Sequence, residues 1–223
     1  MTEENENISS YLPTPKNGWI LVFDLDNTIV GDYSDQRSID AEEPSLNPSV
    51  VEILRKATEA RERAIVSGIF LLTNNADYFF AKVIELTLAM KFKKHRYKVV
   101  FDYIMARNHP FRSPPDDDPP KSLREVEYMA KESGISTENL ANRVIFIDDR
   151  ATHEIAKEIP KEHYIVITPP FVRGGDDRTD FHFLEALLEP KKGGRQRRTT
   201  RKRLQTFPLK RKKSKKQKSN TSR

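Results

Sequence analysis

Three apolar runs constrain the fold of this chain most: "GWILVFD" (18–24), "IVSGIFLLTNN" (65–75) and "RVIFIDDR" (143–150). Each reads as a buried strand, because it is short, continuous and rich in β-branched and aromatic residues. Each also runs straight into polar or acidic residues. An ionised carboxylate is costly to bury without a partner. The residues that close these strands therefore need a chemical explanation.

The segments between the runs have helical periodicity. In "NPSVVEILRKATEARERA" (47–64), Asn47 can cap, Pro48 suits the first turn, and Val50, Ile53, Leu54 and Ala57 recur at helical spacing. "ADYFFAKVIELTLAMKFKK" (76–94) and "KSLREVEYMAKESG" (121–134) predict two more helices, the second closed by Gly134. "YKVVFDYIMAR" (97–107) and "HYIVIT" (163–168) predict strands, and "ATHEIAKEI" (151–159) and "TDFHFLEALLE" (179–189) short helices. Prolines keep 108–120 out of regular structure. Strand and helix alternate throughout, which predicts an α/β domain: a doubly wound, Rossmann-like parallel sheet of about five strands with helices on both faces.

Composition divides the chain. Of 39 Lys and Arg, 16 fall in residues 190–223, which hold no acid; this leaves 23 against 33 acids, a net of −10, on the rest. The expected organisation is a loose arm (1–17), an acidic domain (18–189) and a disordered basic tail (190–223). The chain has no cysteine, which removes disulfides and thiolate metal sites and suits an intracellular, reducing setting. No apolar stretch approaches the roughly 20 residues that span a bilayer, and the acidic start is unlike a secretory signal.

In a doubly wound sheet the ligand site lies at the carboxyl ends of the strands. Asp24, Asp26 and Thr28 follow the first strand, Thr73 and Asn74 the second, and Asp148 and Asp149 the fourth. These residues would converge on one rim. Four carboxylates there repel one another and raise their pKa values unless a cation intervenes. Mg2+ suits them, as a hard ion that takes a few carboxylates plus water and phosphate. Lys121, at the start of a helix, could stand near the same rim. Singly, "DLDNT" also reads as an acidic turn, Thr73 as a strand end and Lys121 as a solvated helix start.

The four motifs, in order, resemble the haloacid dehalogenase (HAD) superfamily of phosphohydrolases. They are D-x-D-x-T at Asp24, Asp26 and Thr28, "FLLTN" with Thr73, the helix-leading Lys121, and "VIFIDD" with Asp148 and Asp149. The resemblance covers residues 18–189. It implies that Asp24 is a phosphate-accepting nucleophile and Asp26 a general acid–base. It implies that Thr73 and Lys121 clamp the phosphoryl group, helped by Thr28 and Asn74. Magnesium would be held by Asp24, Asp26, Asp148 and Asp149. Within the superfamily, "PPKSL", "ENLANRVIFIDD" and "IVITPPFVRGGDDRTDFHFLEALL" resemble the FCP/NIF-like branch of carboxy-terminal-domain phosphatases. That branch usually has Glu at the position of Asn27, a Trp-Thr pair where "LLTNNAD" stands, and Ser-Pro after the fourth motif.

About twenty residues separate the first strand from the first helix, fewer than the ~50 of a small domain. No separate cap domain is expected. An open site favours a macromolecular substrate: a phosphoprotein or a nucleic-acid end. The alternative is a HAD-like binding protein with weak turnover, anchored through its tail. Residues 191–218 suit a nuclear-import signal or a nucleic-acid anchor equally, since both need clustered positive charge. The five histidines show no ligand spacing and read as surface or satisfied side chains, "PPDDDPP" as a solvated loop, Asp176, Asp177 and Asp180 as loop and capping acids, and Phe79, Phe80 and Phe101 as core.

Overall fold

The computed structural model describes residues 14–31, 44–92, 99–112, 119–172 and 179–189. Five strands form one sheet: β1 (Trp19–Phe23), β2 (Val66–Leu72), β3 (Tyr103–Met105), β4 (Val144–Asp148) and β5 (Tyr164–Val166). Their spatial order is β3-β2-β1-β4-β5 and every pairing is parallel. The chain winds outward from β1 to β3, then restarts on the other side with β4. The switch point therefore lies between the carboxyl ends of β1 and β4, where a doubly wound sheet opens a crevice.

Alternate residues of each strand feed opposite layers. Leu21, Phe23, Ile69, Leu71, Ile145 and Ile147 pack with α1 (Pro48–Glu62), α2 (Tyr78–Lys91) and α5 (His182–Leu188). Ile20, Val22, Phe70, Leu72, Val144 and Phe146 pack with α3 (Leu123–Glu132) and α4 (Ile155–Glu158). The predicted α/β sheet, helices on both faces, is thus the observed one. No helix among the described residues is long and apolar enough to cross a membrane.

The helix ends follow the local chemistry. Asn47 Oδ1 accepts from the N–H groups of Ser49 (3.1 Å) and Val50 (3.3 Å), and Pro48 opens α1. α3 begins on a capping box in which Glu125 accepts from the Ser122 N–H at 2.7 Å. It ends on a Schellman turn: Ile135 N–H donates to Ala130 and Gly134 N–H to Lys131, with Gly134 at φ 68°. α1 ends the same way on Ala64, at φ 58°, where a Cβ is strained.

β3 is much shorter than the predicted strand over 97–107, and side chains explain the difference. Arg61 donates to the carbonyls of Val99 (3.1 Å) and Val100 (3.3 Å), and Glu85 accepts from the Phe101 N–H at 3.2 Å. Asp102 Oδ2 takes the Ile69 N–H at 2.9 Å in place of a backbone carbonyl. Side chains thus satisfy residues 99–101, and backbone pairing starts where Asp102 N–H reaches the Ile69 carbonyl at 2.7 Å. A second correction concerns α2. Phe101 is core and Phe80 packs against it, but Phe79 is 82% exposed.

The two Schellman turns give paired expectations. The left-handed conformation costs an L-residue ~1–2 kcal/mol, and glycine's extra unfolded-state freedom takes back roughly 0.5–1. Ala64→Gly should therefore raise stability by about 0.5–1 kcal/mol, and Gly134→Ala should lower it by a similar amount. Urea titration of both variants checks this; a destabilised Ala64→Gly would contradict the turn geometry.

Candidate active site

The centre of the rim is a buried cation between two carboxylates. Asp24 leaves β1, Asp148 ends β4, and Lys121 precedes the Ser122 cap of α3. Lys121 Nζ lies 2.5 Å from Asp24 Oδ1 and 2.7 Å from Asp148 Oδ2. All three side chains are buried. The Lys121 backbone is held from both sides: its N–H donates to His153 Nδ1 at 3.3 Å, and its carbonyl accepts from Ile155 N–H at 3.0 Å. With Nδ1 accepting, the neutral imidazole carries its proton on Nε2, which is 3.5 Å from Asp148 Oδ1.

This environment drives the acids apart. Burial pushes the Asp24 carboxyl up to about 7, more than the Lys121 charge can offset. Burial also acts on Asp148, but there the charge of Lys121, with His153 close by, outweighs it and holds the carboxyl at about 2. For Lys121, burial alone would lower the pKa, but Asp24 and Asp148 outweigh it and the ammonium is held above its usual range. Asp149 is raised, first by burial and then by the charge of Asp148. Burial first, and the Asp148 charge after it, thus raises Asp24 and Asp149, while Lys121 holds Asp148 down.

Ligand oxygens of Asp24, Asp148 and Asp149 lie within 4.8 Å of one another. Three hard oxygen donors that close together, two of them electrostatically strained, fit a magnesium-type ion. The Asp26 carboxylate stands outside that trio. Its Oδ1 accepts from Asn75 Nδ2 at 3.2 Å. Asp24, Asp26, Asn27, Asn74, Lys121, Asp148, Asp149, Arg150 and His153 line a pocket of about 60 Å³ at this rim, the scale of a small oxyanion or a few waters.

Two expected residues stand back from that lining. Thr28 is fully buried, and its hydroxyl meets no hydrogen-bond partner among the described residues. Thr73 is also buried, and its Oγ1 accepts from Asn75 N–H at 3.0 Å. Asn74 does line the pocket, and its side chain ties loops together: Oδ1 accepts from Arg112 Nη2 at 2.7 Å and Nδ2 donates to the Pro119 carbonyl at 3.1 Å. Arg112 also donates to the Thr73 carbonyl at 2.8 Å and pairs with Glu125.

Sequence reasoning passed over His153, Asn27, Arg150 and Arg112. His153 gave one signal: it sits five residues beyond Asp148, in the loop that leaves the acid pair. Asn27 adopts φ 56°, its carbonyl accepts from Phe171 N–H at 2.7 Å, and its Nδ2 lies 3.5 Å from Asp149 Oδ2. Arg112 follows the proline loop's first residues and gave no signal. Of the other histidines, His163 is buried against Trp19, and His182 is exposed. Asp180 accepts from His182 N–H at 2.9 Å, as a capping acid does. His95, Asp116, Asp117, Asp118, Asp176, Asp177, most of the N-terminal arm and the tail lie outside the described residues.

No protein-family profile matches the chain, and no curated protein sequence does. Among solved structures, it is similar to a Streptomyces avermitilis MA-4680 protein assigned to the HAD family of hydrolases. The identity is 19% over 61% of each chain, with a TM-score of 0.31, so the match spans about three fifths of that protein. A protein of unassigned function from Xanthomonas campestris matches at 15% identity over 77% of this chain and 80% of its own, with a TM-score of 0.41. Both likenesses are distant, and the chemistry of the site stands on its own residues.

The raised Asp24 has a measurable signature. Its ordinary value is 3.8 and its folded value about 7. Its contribution to folding is therefore fully present below 3.8 and is lost as pH rises through 7. Asp24→Asn cannot ionise. In buffer with chelator it should melt higher than the unsubstituted chain at pH 8, and the gap should close as pH falls from 7 toward 4. Thermal melts across that range check the sign; a variant that melts lower at pH 8 would place Asp24 in a stabilising charged state instead.

Proposed function

We propose that this chain is a magnesium-dependent phosphomonoester hydrolase that works through an aspartyl-phosphate. The observation that carries the reading is Asp24, a buried carboxylate at the sheet's switch point, bridged by Lys121 and flanked by two further acids in a pocket of oxyanion size. Magnesium held by Asp24, Asp148 and Asp149 would supply the positive charge that keeps Asp24 ionised and offsets charge on the phosphoryl oxygens.

The protein's own groups do the rest. An Asp24 carboxylate oxygen attacks phosphorus, and the bond from phosphorus to the leaving oxygen breaks. Asp26, on the pocket wall, gives that oxygen a proton. Water then attacks the aspartyl-phosphate, Asp26 takes its proton, and inorganic phosphate leaves with Asp24 regenerated. Lys121 holds one charged oxygen in place throughout. Thr73 stands behind the pocket wall, where its Oγ1 accepts from Asn75 N–H and so sets the loop beyond β2 that carries Asn74. His153 fixes the Lys121 backbone and faces Asp148.

The substrate we favour is macromolecular, because the sequence between the first strand and first helix is too short for a cap domain. The branch resemblance suggests phosphoserine peptides, and the basic tail suggests a nucleic-acid end. A panel of phosphopeptides against 3′- and 5′-phosphorylated oligonucleotides separates the two.

The activity prediction uses a chromogenic aryl phosphate. Turnover should need Mg2+, and Asp24→Asn should lower it on the order of 10⁴-fold, the scale of losing a nucleophile. An Asp24→Asn variant that retained more than about a tenth of the rate would remove the nucleophile assignment.

The tail carries a separate prediction. A chain ending at Glu189 should keep its aryl-phosphate rate, since every proposed site residue lies before that point. It should lose most affinity for DNA or RNA, because what remains is net −10. If the whole chain engages six to ten phosphates, log affinity should fall against log salt with a slope of roughly −5 to −9. Equal nucleic-acid affinity for the whole and shortened chains would leave import or solubility as the tail's purpose.

A further inference from the structure

One buried donor at the rim is unspent. His153 is 5% exposed, and its Nε2 has no hydrogen-bond partner among the described residues. The direction of that nitrogen is nonetheless fixed. Nδ1 accepts from the Lys121 N–H at 3.3 Å, and the ring stands edge-on to Phe146, with centroids 6.5 Å apart and planes at 72°. Because Nδ1 accepts, the proton belongs on Nε2. Nε2 then faces Asp148 Oδ1 at 3.5 Å, beyond the length of a good hydrogen bond. A buried N–H left without an acceptor is costly. Its presence beside the acids calls for a use.

The surroundings of Asp148 point to that use. Its Oδ2 is held by Lys121 at 2.7 Å, and its Oδ1 accepts from the Arg150 N–H at 2.8 Å. The Arg150 carbonyl is tied in turn to the Tyr164 hydroxyl at 2.6 Å. One imidazole therefore stands against both partners of the ion pair: one end holds the lysine's backbone, and the other faces the acid that the lysine meets. Carboxylates that ligate a metal are themselves hydrogen-bonded by outer groups that aim them. A neutral N–H suits that task. It orients the carboxylate without cancelling the negative charge that a divalent cation needs, as a second lysine or arginine would.

We propose that His153 is a positioning residue for the divalent cation: its Nδ1 holds Lys121 in place, and its Nε2–H closes on Asp148 and aims that carboxylate when the cation binds. The inference rests on the reading that Asp24, Asp148 and Asp149 take magnesium. His153 lines the same pocket but stands outside the trio of ligands.

Two substitutions separate the two ends of the ring. In His153→Asn the amide oxygen stands where Nδ1 was and still accepts from Lys121, while nothing reaches Asp148. In His153→Gln the amide N–H stands where Nε2 was, while the Lys121 N–H loses its acceptor. Calorimetric titration of the full chain with Mg2+ alone reads the metal without turnover. His153→Asn should bind Mg2+ roughly 10–100-fold more weakly, the scale of losing an outer-shell partner, and His153→Gln should recover most of that loss. Equal weakening of both variants would mean that the ring only fills space, and would overturn the inference. So would a His153→Asn variant that binds Mg2+ as tightly as the unsubstituted chain. Either result leaves the metal reading in place, whereas an unsubstituted chain that takes no Mg2+ removes both. Should neither variant fold, the unsubstituted chain still decides. With isotope-labelled histidine, the buried Nε2–H proton resonance should move downfield as Mg2+ is added, and a resonance that stays where it was would overturn the inference.

Discussion

The rim depends on one contact, the Lys121 ammonium held between Asp24 and Asp148. It joins three elements distant in sequence: the end of β1, the end of β4 and the residue before α3's cap. Without the cation, two buried carboxylates would face each other, where like charges are costly. With it, one carboxylate is held firmly ionised and the other is left poised near neutrality. The difference between Asp24 and Asp148 is thus set by where the lysine is anchored. That anchor is backbone: His153 takes its N–H and Ile155 gives to its carbonyl.

A second network keeps the lysine's helix in register with the loop beyond β2. Arg112 binds the Thr73 carbonyl and Asn74 Oδ1, and its guanidinium pairs with Glu125. Glu125 also caps α3 through the Ser122 N–H, one residue from Lys121. One buried arginine therefore couples the wall of the pocket to the start of the helix that supplies its cation. Charge-assisted hydrogen bonds of this kind are the stronger class, and their fixed geometry matters here as much as their energy. At the opposite end of the sheet Arg143 works in the same way. It reaches the carbonyls of Asn17, Gly18, Ser136 and Glu138 and so pins the entry to β1 against the approach to β4.

Much of this was legible in the sequence, and the reasons differ by residue. The strands β1, β2 and β4 are continuous apolar runs that no helix or loop imitates, so their place and their polar ends could be read directly. Asn47, Pro48 and Gly134 are local signals with one structural meaning each, and they stand where expected. β3 was overestimated because the competing partners of its backbone, Arg61 and Glu85, lie in other helices and leave no trace in the strand's own pattern. Phe79 reads as core in the sequence because helical periodicity identifies apolar positions but does not tell a buried stripe from an exposed one. His153 and Arg112 escaped notice for a related reason. Their significance comes from what they touch across the fold, and a lone histidine or arginine has no period.

The energetics bear on why such a rim exists. Buried ion pairs seldom stabilise a fold beyond what well-packed apolar residues of similar volume would give, because desolvation consumes the Coulombic gain. Removing the shared cation is nonetheless severe, since two buried carboxylates are left without their partner. Leucine or methionine at Asp24, Lys121 and Asp148 would serve the sheet at least as well. The triad sits at the switch point, where the fold already interrupts its apolar layers and opens to solvent. There the cost of three charges is lowest, and the pKa separation they create, about 7 against about 2, has a use that packing alone does not. A carboxylate that is costly to ionise when alone, and ready to ionise beside a bound cation, ties the charge state of Asp24 to occupancy of the site.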